Sequence, residues 1–413
     1  MKRLDCFAFL LPFIVSACSS SAGPAASPNG GSAPATGGSS SGGSDASGGS
    51  KGVEGTDGPD PFTPIVCAPD AGRPSDAPKL ESGVWKQIDA SPKYWANGIV
   101  VDRCNASVLY SVGGTYPSDS QHGVFRSEDG GATWKQLVKL DSPGRIRVDS
   151  RDSKNMYVVD GVNGGTMGFW RTTDGGKTWE MPAGFIEASG RPEVQQRDAY
   201  DVAVNPEDFR HVLVTFHNPW AGWDRAAGVL ESPDGGDTWV VHAPEPSWAG
   251  AYGYGVFFLS NPELGLGDSQ TWLFGSQGDG YWKTKDGGET WTQVSKSSMT
   301  HGGAQLYYTK QGTIYLSSDD GVLKSADNGD TFTLITVPIS GAAHLLSVFG
   351  DGTNLYAGGY GTPVYTATEQ ADTEWTEVSD QTFMAGPYEM TYDPKNAILY
   401  SANASAGLWA LRR

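Results

Sequence analysis

Residues 127–134 carry the stretch Ser-Glu-Asp-Gly-Gly-Ala-Thr-Trp, and this stretch decides the fold because close copies of it follow along the chain. Each copy has aspartate at its third position, glycine at its fifth and an aromatic residue at its eighth. The copies, called boxes below, are residues 127–134, 172–179, 232–239, 284–291 and 325–332. Self-similarity at a period of about 40–60 residues predicts a chain built from repeated structural units.

The residue types in a box suit a tight turn between two strands. Such a turn leaves backbone N–H groups without partners, and an aspartate side chain can accept them locally. Glycine supplies the positive φ that the turn needs, and the aromatic residue begins the next strand with a large apolar face. A fold needs this turn in every unit, whereas a single active site does not. We therefore predict structural roles for Asp129, Asp174, Asp234, Asp286 and Asp327.

The spacing of the boxes predicts the number of units. Box starts are 45, 60, 52 and 41 residues apart, which fits one four-stranded sheet for each box. A sixth, altered copy covers residues 366–375 and has Thr368 in place of the aspartate. The seventh unit is divided, because residues 84–88 match the segment after the first box and residues 407–410 match the strand before it. We predict an all-β, seven-bladed β-propeller whose N-terminal and C-terminal strands close the last blade.

A second, weaker repeat gives the same count. It consists of an apolar strand, a turn and another strand, which is typical of the inner hairpin of a blade. Its instances begin at residues 99, 146, 202, 256, 305, 345 and 390. Seven hairpins therefore match the five boxes, the altered copy and the divided unit.

The N-terminus predicts export. A basic start, a short apolar stretch and Ile-Val-Ser-Ala-Cys at residues 14–18 are typical of a signal peptide over residues 1–17. Residues 14–18 resemble a bacterial lipobox, in which Cys18 is acylated and anchors the protein to the cell envelope. An aspartate directly after the cysteine would resemble an inner-membrane retention signal, but Ser19 stands there. The predicted location in a Gram-negative cell is therefore the outer membrane. The alternative is an ordinary signal peptide and a secreted protein.

The remaining chain divides by composition. Residues 18–60 are almost entirely Ser, Gly, Ala and Pro, which predicts a disordered tether. Residues 61–80 form a lead-in segment, and residues 81–413 form the propeller.

Charge and cysteine content limit the partners. The net charge is −18 and the basic residues are scattered, so we expect no nucleic-acid partner. Once Cys6 and Cys18 are set aside, Cys67 and Cys104 remain, and an exported chain with one such pair predicts a disulfide. A reactive thiol or a metal site is the alternative, but no histidine stands at metal-ligand spacing. We expect a monomer without metal or cofactor.

The boxes resemble the BNR or Asp-box repeats of sialidases, xyloglucanase-type glycoside hydrolases, sortilin-type receptors and photosystem II assembly factors. The resemblance covers about residues 80–413 and implies a propeller, but these families differ in function. Sialidases share an Arg-Ile-Pro type motif and six blades, whereas this chain has Arg145-Ile146-Arg147 and seven predicted blades. Xyloglucanase-type enzymes carry two propellers with one catalytic aspartate on each, and this chain has length for one.

The predicted ligand-binding face lies opposite the boxes. Its loops are rich in aromatic residues, notably at 217–225 and 246–254. Rings beside Asp, Asn and Arg side chains suit sugars, whose C–H faces stack on rings while their hydroxyls bind polar groups. The alternative is that these rings pack the loops onto the blades. The candidate ligand-binding residues are Trp95, Arg145, His217, Trp220, Trp223, Asp224, Trp248, Tyr252, Tyr254, His301 and His344.

Asp201 and Glu389 are the candidate catalytic residues if the chain is an enzyme. Both stand where a first strand begins, and a propeller gathers these positions around one central mouth. Two carboxyl groups can act as the acid and base of a glycoside hydrolase. The alternative is that they are part of an ordinary polar channel lining.

The leading hypothesis is a non-catalytic surface module that binds an extracellular carbohydrate or an envelope partner through its aromatic loops. A glycoside hydrolase acting on an extracellular polysaccharide, xyloglucanase-like more than sialidase-like, is the first alternative. An assembly-factor scaffold is the second.

Overall fold

The computed structural model describes most of the chain from residue 73 onward. The described residues are 73–88, 95–114, 121–248, 250, 252–339, 344–378, 383 and 386–413. The predicted signal peptide (1–17), Cys18, the tether (18–60), Cys67 and most of the lead-in segment (61–80) lie outside them and stay as predictions.

The described residues form seven antiparallel sheets arranged as blades in a ring, which confirms the predicted all-β propeller. The first strand is β1 (Trp85–Gln87). Blade 1 comprises β2 (Ala96–Val101), β3 (Leu109–Gly113), β4 (Gly123–Ser127) and β5 (Lys135–Val138), and blade 2 comprises β6 (Pro143–Val148), β7 (Met156–Asp160) and β8 (Gly168–Thr172). Blade 3 comprises β9 (Ala199–Val204), β10 (Val212–Phe216), β11 (Val229–Ser232) and β12 (Val240–His242). Blade 4 comprises β13 (Tyr254–Phe258), β14 (Trp272–Ser276), β15 (Gly280–Thr284) and β16 (Thr292–Ser295). Blade 5 comprises β17 (Leu306–Tyr308), β18 (Ile314–Ser318), β19 (Gly321–Ser325) and β20 (Thr333–Ile335). Blade 6 comprises β21 (Leu345–Gly350), β22 (Asn354–Gly359), β23 (Tyr365–Thr368) and β24 (Thr376–Glu377). Blade 7 comprises β25 (Glu389–Asp393), β26 (Ile398–Ala402) and β27 (Leu408–Arg412), and β1 completes it.

The two ends of the described chain close the ring in blade 7. Strand β1 pairs antiparallel with β27, so that Trp85 lies opposite Leu411 and Gln87 opposite Trp409. The sheet order is β1-β27-β26-β25, which places the N-terminal strand at the outer edge of the last blade. The predicted sharing of the last blade between the chain ends is confirmed.

Burial follows from the position of each strand within its blade. The second strands, such as β3 and β14, bury every residue because neighbouring blades cover both faces of the sheet. The outer strands, such as β5, stay partly exposed because they form the perimeter of the ring. The core therefore consists of the layers between blades, with polar side chains left for the channel, the loops and the rim.

Blade 2 departs from the pattern within residues 143–199, all of which are described. It has three strands, and Glu180 makes only an isolated bridge with Arg171 where an outer strand is expected. Helix α1 (Ala183–Ser189) follows instead, and its Phe185 packs edge-on against Trp239 of the next blade at 5.6 Å. The long spacing between the second and third boxes is thus a helical insertion.

The boxes form the turns between third and fourth strands. In the first box, Thr133 donates its N–H to Asp129 Oδ1 at 2.9 Å and its hydroxyl to Asp129 Oδ2 at 2.5 Å, while Gly131 N donates to Ser127 Oγ at 2.8 Å. The equivalent N–H to carboxylate distances in the other four boxes are 2.8–3.0 Å. These donors lower the pKa of the carboxyl groups, to about 2 for Asp174. Each of the five aspartates therefore binds its own turn.

Candidate functional site

The central channel brings Asp201 and Glu389 together on a single guanidinium group. Arg147 Nη1 donates to Glu389 Oε1 at 2.9 Å, and Arg147 Nη2 lies 3.6 Å from Asp201 Oδ1. Burial raises the pKa of Asp201, and the positive charges of Arg147 and Arg145 oppose that rise. A hydrolase needs substrate or water between its two carboxyl groups. Here the guanidinium of Arg147 bridges them instead.

A loop from blade 5 covers the channel above these carboxylates. The Gly302 carbonyl accepts a hydrogen bond from Arg145 Nη2 at 3.3 Å, and the Gly302 N–H donates to the Tyr200 hydroxyl at 2.8 Å. The His301 carbonyl accepts from the Tyr360 hydroxyl at 2.9 Å. Arg145, Tyr200 and Tyr360 belong to blades 2, 3 and 6, so the loop crosses the channel mouth.

Glycine allows this loop its close contacts. Gly302 and Gly303 have φ of +117° and +104°, a region that other residues rarely adopt. A Cβ on Gly303 would lie 2.5 Å from the Arg145 guanidinium. The side chains of Asp201 and Glu389 are consequently only 5% and 11% exposed. A ligand that approaches from the mouth meets the loop before it meets the carboxylates.

Aromatic and imidazole rings cluster on the solvent side of this loop. The His217 ring stacks on Tyr252 with centroids 5.7 Å apart and meets His301 edge-on at 5.4 Å. His301 Nδ1 lies 3.2 Å from Gln277 Oε1. Tyr252 is 51% exposed, and His301 is also exposed. The cluster therefore presents rings beside an amide.

A second polar pair extends the same surface toward blade 6. His344 Nδ1 lies 3.0 Å from Asp319 Oδ1, and the His344 side chain is 49% exposed. Together the two groups form what we call the mouth surface: His217, Tyr252, Gln277, His301, Asp319, His344 and Tyr360. The predicted residues His217, Tyr252, His301 and His344 are thus brought close to one another.

Asp198 lies beneath the mouth surface and was missed by the sequence reasoning. Its Oδ2 accepts hydrogen bonds from Asn218, with the backbone N–H at 3.1 Å, and lies 3.9 Å from His217 Nδ1. Among the described residues, Asp198 Oδ1 and both ring nitrogens of His217 are buried without a hydrogen-bond partner. Burial raises the pKa of Asp198 to about 7 and lowers that of His217 to about 4. The only sequence signal was its position just before the first strand of blade 3, β9.

Several predicted ligand-binding residues are structural instead. Trp220 is 2% exposed and packs on Phe216, Trp248 is 6% exposed and stacks on Phe274 at 4.2 Å, and Tyr254 is 1% exposed. The prediction that these three rings face a ligand is wrong, because each fills the layer between blades. Arg145 is also buried, and its guanidinium donates to the carbonyls of Asn97 and Gly302.

The remaining predicted residues lie apart from the mouth surface or at its edge. Trp223 is partly buried against the core of blades 2 to 4, and Asp224 is exposed beside it. Trp95 is partly buried and packs with Tyr388 and Leu346. Cys104 is disulfide-bonded, and its predicted partner Cys67 lies outside the described residues.

Among the described residues, no three His, Cys, Asp or Glu side chains are grouped as a metal site requires. No helix in the same part of the chain is long and apolar enough to cross a membrane.

Seven radial sheets around a channel define the class of this protein as a seven-bladed β-propeller. No protein-family model matches the chain. A xyloglucanase from Paenibacillus sp is 24% identical over 231 residues, which are 48% of this chain and 20% of that enzyme. The match therefore spans about a fifth of the relative's length.

Solved structures share the fold at low identity. YCF48 from Cyanidioschyzon merolae has a TM-score of 0.55 and 14% identity over 80% of this chain and 98% of its own. A catalytically inactive virginiamycin B lyase from Staphylococcus aureus has a TM-score of 0.57 and 13% identity over 80% of this chain and 99% of its own. Proteins with different names thus share this propeller fold, and the site must decide the function.

Proposed function

We propose that this chain is a non-catalytic binding propeller that recognises an extracellular carbohydrate through the mouth surface. The observation that carries the proposal is the exposed ring cluster of Tyr252 and His301 beside Gln277, Asp319 and His344. Rings of this kind stack on the C–H faces of sugars, while amide, carboxylate and imidazole groups bind hydroxyls. The similarity to a xyloglucanase supports a polysaccharide as the ligand class.

The same proposal places the propeller outside the cell. The predicted signal peptide and the lipobox-like residues 14–18 support a lipid anchor at Cys18, and residues 18–60 would then act as a tether. A glycan on or near the envelope would be within reach of a propeller held in this way.

A glycoside hydrolase is the second candidate, and the xyloglucanase similarity is the observation that favours it. The bridge from Arg147 to Asp201 and Glu389 counts against these two residues as its catalytic pair. An enzyme of this kind would need both carboxyl groups free to exchange protons with substrate or water.

Binding measurements with the full chain test the proposal. Glycan arrays and pull-downs with insoluble plant and bacterial polysaccharides should identify a ligand, and Tyr252→Ala should weaken its binding about tenfold or more, which corresponds to about 1.4 kcal/mol. Val240→Ala, which removes an exposed apolar side chain on an outer strand, is the control and should bind normally. Loss of binding in His301→Ala would give independent support.

The same samples distinguish the second candidate. Reducing sugar released from a polysaccharide by the wild type, and lost in Asp201→Asn and Glu389→Gln, would replace the binding proposal by a hydrolase. Absence of any bound glycan, or equal binding by Tyr252→Ala and wild type, would refute carbohydrate recognition at the mouth surface.

A further inference from the structure

A groove with a volume of about 470 Å³ lies between blades 5 and 6 on the rim that carries the boxes. It is lined by the β17–β18 turn, the β21–β22 turn and the turn of the altered sixth repeat. All three turns lie at the end of the blades opposite the mouth surface. The groove, called the rim groove below, is therefore separate from the proposed carbohydrate site. Its volume is within the about 300–1,000 Å³ of small-molecule sites.

The altered repeat explains why side chains project into the rim groove. Glu369 N donates to the Thr353 carbonyl at 2.9 Å, just as Gly130 N in the first box donates to the Ser107 carbonyl at 2.8 Å. Glu369 and the following Gln370 thus stand where the first box has two glycines. The turn is also two residues longer than a box, because it covers residues 366–375.

The longer turn is fastened to blade 5 by its acidic residues. Asp372 Oδ2 accepts a hydrogen bond from the Tyr315 hydroxyl at 2.5 Å and forms an ion pair with Lys324. Glu369 Oε1 accepts from the Tyr307 hydroxyl at 2.9 Å. Tyr315 and Asp372 are 1% and 8% exposed, so their contact is buried, and Tyr315 also lines the groove. Each of the two acidic side chains therefore has a partner on blade 5.

The rest of the lining is neutral and hydrogen-bonding. Gln311, Thr353 and Gln370 line the groove and are exposed, and Thr309 and Thr313 lie between them. Lys324 is paired with Asp372, and the ammonium group of Lys310, which lies beside Gly352, offsets the charge of Glu369, so these four groups carry no net charge. A cation would meet a carboxylate already occupied by a tyrosine hydroxyl. Hydroxyl and amide groups provide both donors and acceptors, which suits a neutral ligand rich in hydroxyl groups.

We propose that the rim groove is a second binding site, specific for a neutral saccharide of one or two rings. It lies on the face opposite the mouth surface and acts independently of it. One propeller can then hold two saccharide segments at once, one at each end of its blades.

The test uses the full chain carrying Tyr252→Ala, so that the mouth surface no longer contributes. Titration calorimetry and ligand-observed NMR would be run with cellohexaose, maltohexaose, mannohexaose and a xyloglucan heptasaccharide. We expect at least one of these to bind, and Thr353→Val with Gln370→Gly to weaken that binding about tenfold or more. Gln370 and Thr353 are both exposed, so the two substitutions remove no buried side chain. Thr333→Val, on an exposed part of strand β20, is the matched control and should have no effect.

Three results would overturn the rim-groove proposal: no neutral saccharide binds, binding is unaffected by Thr353→Val with Gln370→Gly, or a triserine peptide displaces the sugar and binds more tightly. Failure of the mouth proposal has a different signature. In that case Tyr252→Ala in the otherwise unchanged chain retains all saccharide binding, whereas the rim-groove variant loses it.

Discussion

Asp198 holds a carboxyl group in the protein interior directly below the mouth surface. It is 2% exposed, and burial raises its pKa from 3.8 to about 7, against hydrogen bonds from Asn218 that lower it. The folded protein therefore keeps a proton that the unfolded chain releases above about pH 4. Below that pH the Asp198 carboxyl group is protonated in both the folded and the unfolded state. As the pH rises toward 7, the free energy of unfolding decreases.

Asp198→Asn should remove this pH-dependent decrease in the free energy of unfolding. At pH 8 the variant should be more stable than the wild type by up to about 4 kcal/mol, because each pKa unit corresponds to about 1.4 kcal/mol. At pH 3.5 the two proteins should be nearly equal. Urea unfolding at both pH values gives the two differences. Asp224→Asn, at an exposed position, is the control, and a difference for Asp198→Asn that does not change with pH would contradict the interpretation.

Single residues were the level at which the sequence predicted least. Trp220, Trp248 and Tyr252 occur in similar surroundings of Gly, Ala and Pro, yet the first two are buried and the third is 51% exposed. Whether a loop ring faces solvent depends on the neighbouring blade, which local sequence does not describe. Asp201 and Glu389 were correctly placed near one another, but their shared partner Arg147 was not recognised.

Neighbouring blades are joined by ion pairs that follow the repeat. A basic residue at the end of a third strand, just before the box, reaches the turn of the next blade. The pairs are Arg171 with Asp237 at 2.7 Å, Lys283 with Asp330 at 2.8 Å, and Lys324 with Asp372. Between blades 1 and 2 the equivalent position in the next turn is Lys177, and Arg126 pairs with Glu128 of its own blade instead. The charges of adjacent turns thus differ from one interface to the next.

Lys283→Met should lower the free energy of unfolding by about 1–3 kcal/mol. The Lys283 side chain is 4% exposed, and its ammonium group also donates to the Asn328 carbonyl at 2.6 Å, so that its loss removes the donor of a partly buried acceptor. Lys285 binds the same Asp330 but is 62% exposed, and Lys285→Met should cost less than about 1 kcal/mol. Equal effects of the two substitutions in urea unfolding would show that burial of Lys283 does not matter.

Elements held by local bonds were the best predicted. Each box is closed by hydrogen bonds between residues four apart, such as Asp129 with Thr133, so the motif alone determines the turn. The ion pairs between blades join residues 47 apart in the case of Lys283 and Asp330, and no local pattern marks them. The same limit applies to the loop at Gly302, whose partners belong to three other blades.

The ring as a whole depends on the strand that completes blade 7. Trp85 of β1 is 7% exposed and packs edge-on against Phe383 at 5.8 Å, in a cluster that includes Tyr356 and Leu411. Because the blades are mutually covered, loss of this closure exposes the faces of blade 7 and of its neighbours. We therefore expect the propeller to unfold as one cooperative unit.

Trp85→Ala should destabilise the entire ring by about 3–5 kcal/mol, as for other buried tryptophans. Unfolding in urea, followed in parallel by circular dichroism and by tryptophan fluorescence, should give coincident transitions shifted to lower denaturant. Val84→Ala, at a 51% exposed neighbour, is the control and should leave the midpoint unchanged. Separate transitions for the two signals would indicate that blade 7 unfolds on its own.

Strand β1, which closes the ring, is synthesised long before the strand with which it pairs. A ribosome makes β1 first, and its partner β27 comes only after all the other blades have been made, since Trp85 lies opposite Leu411. Any chain that stops before residue 408 lacks β27, and so leaves β1 without its strand partner and the edge of β26 unpaired. Proteases and chaperones respond to such apolar surfaces and open edges. Without β27, blade 7 therefore exposes apolar surface and open strand edges that the folded propeller covers.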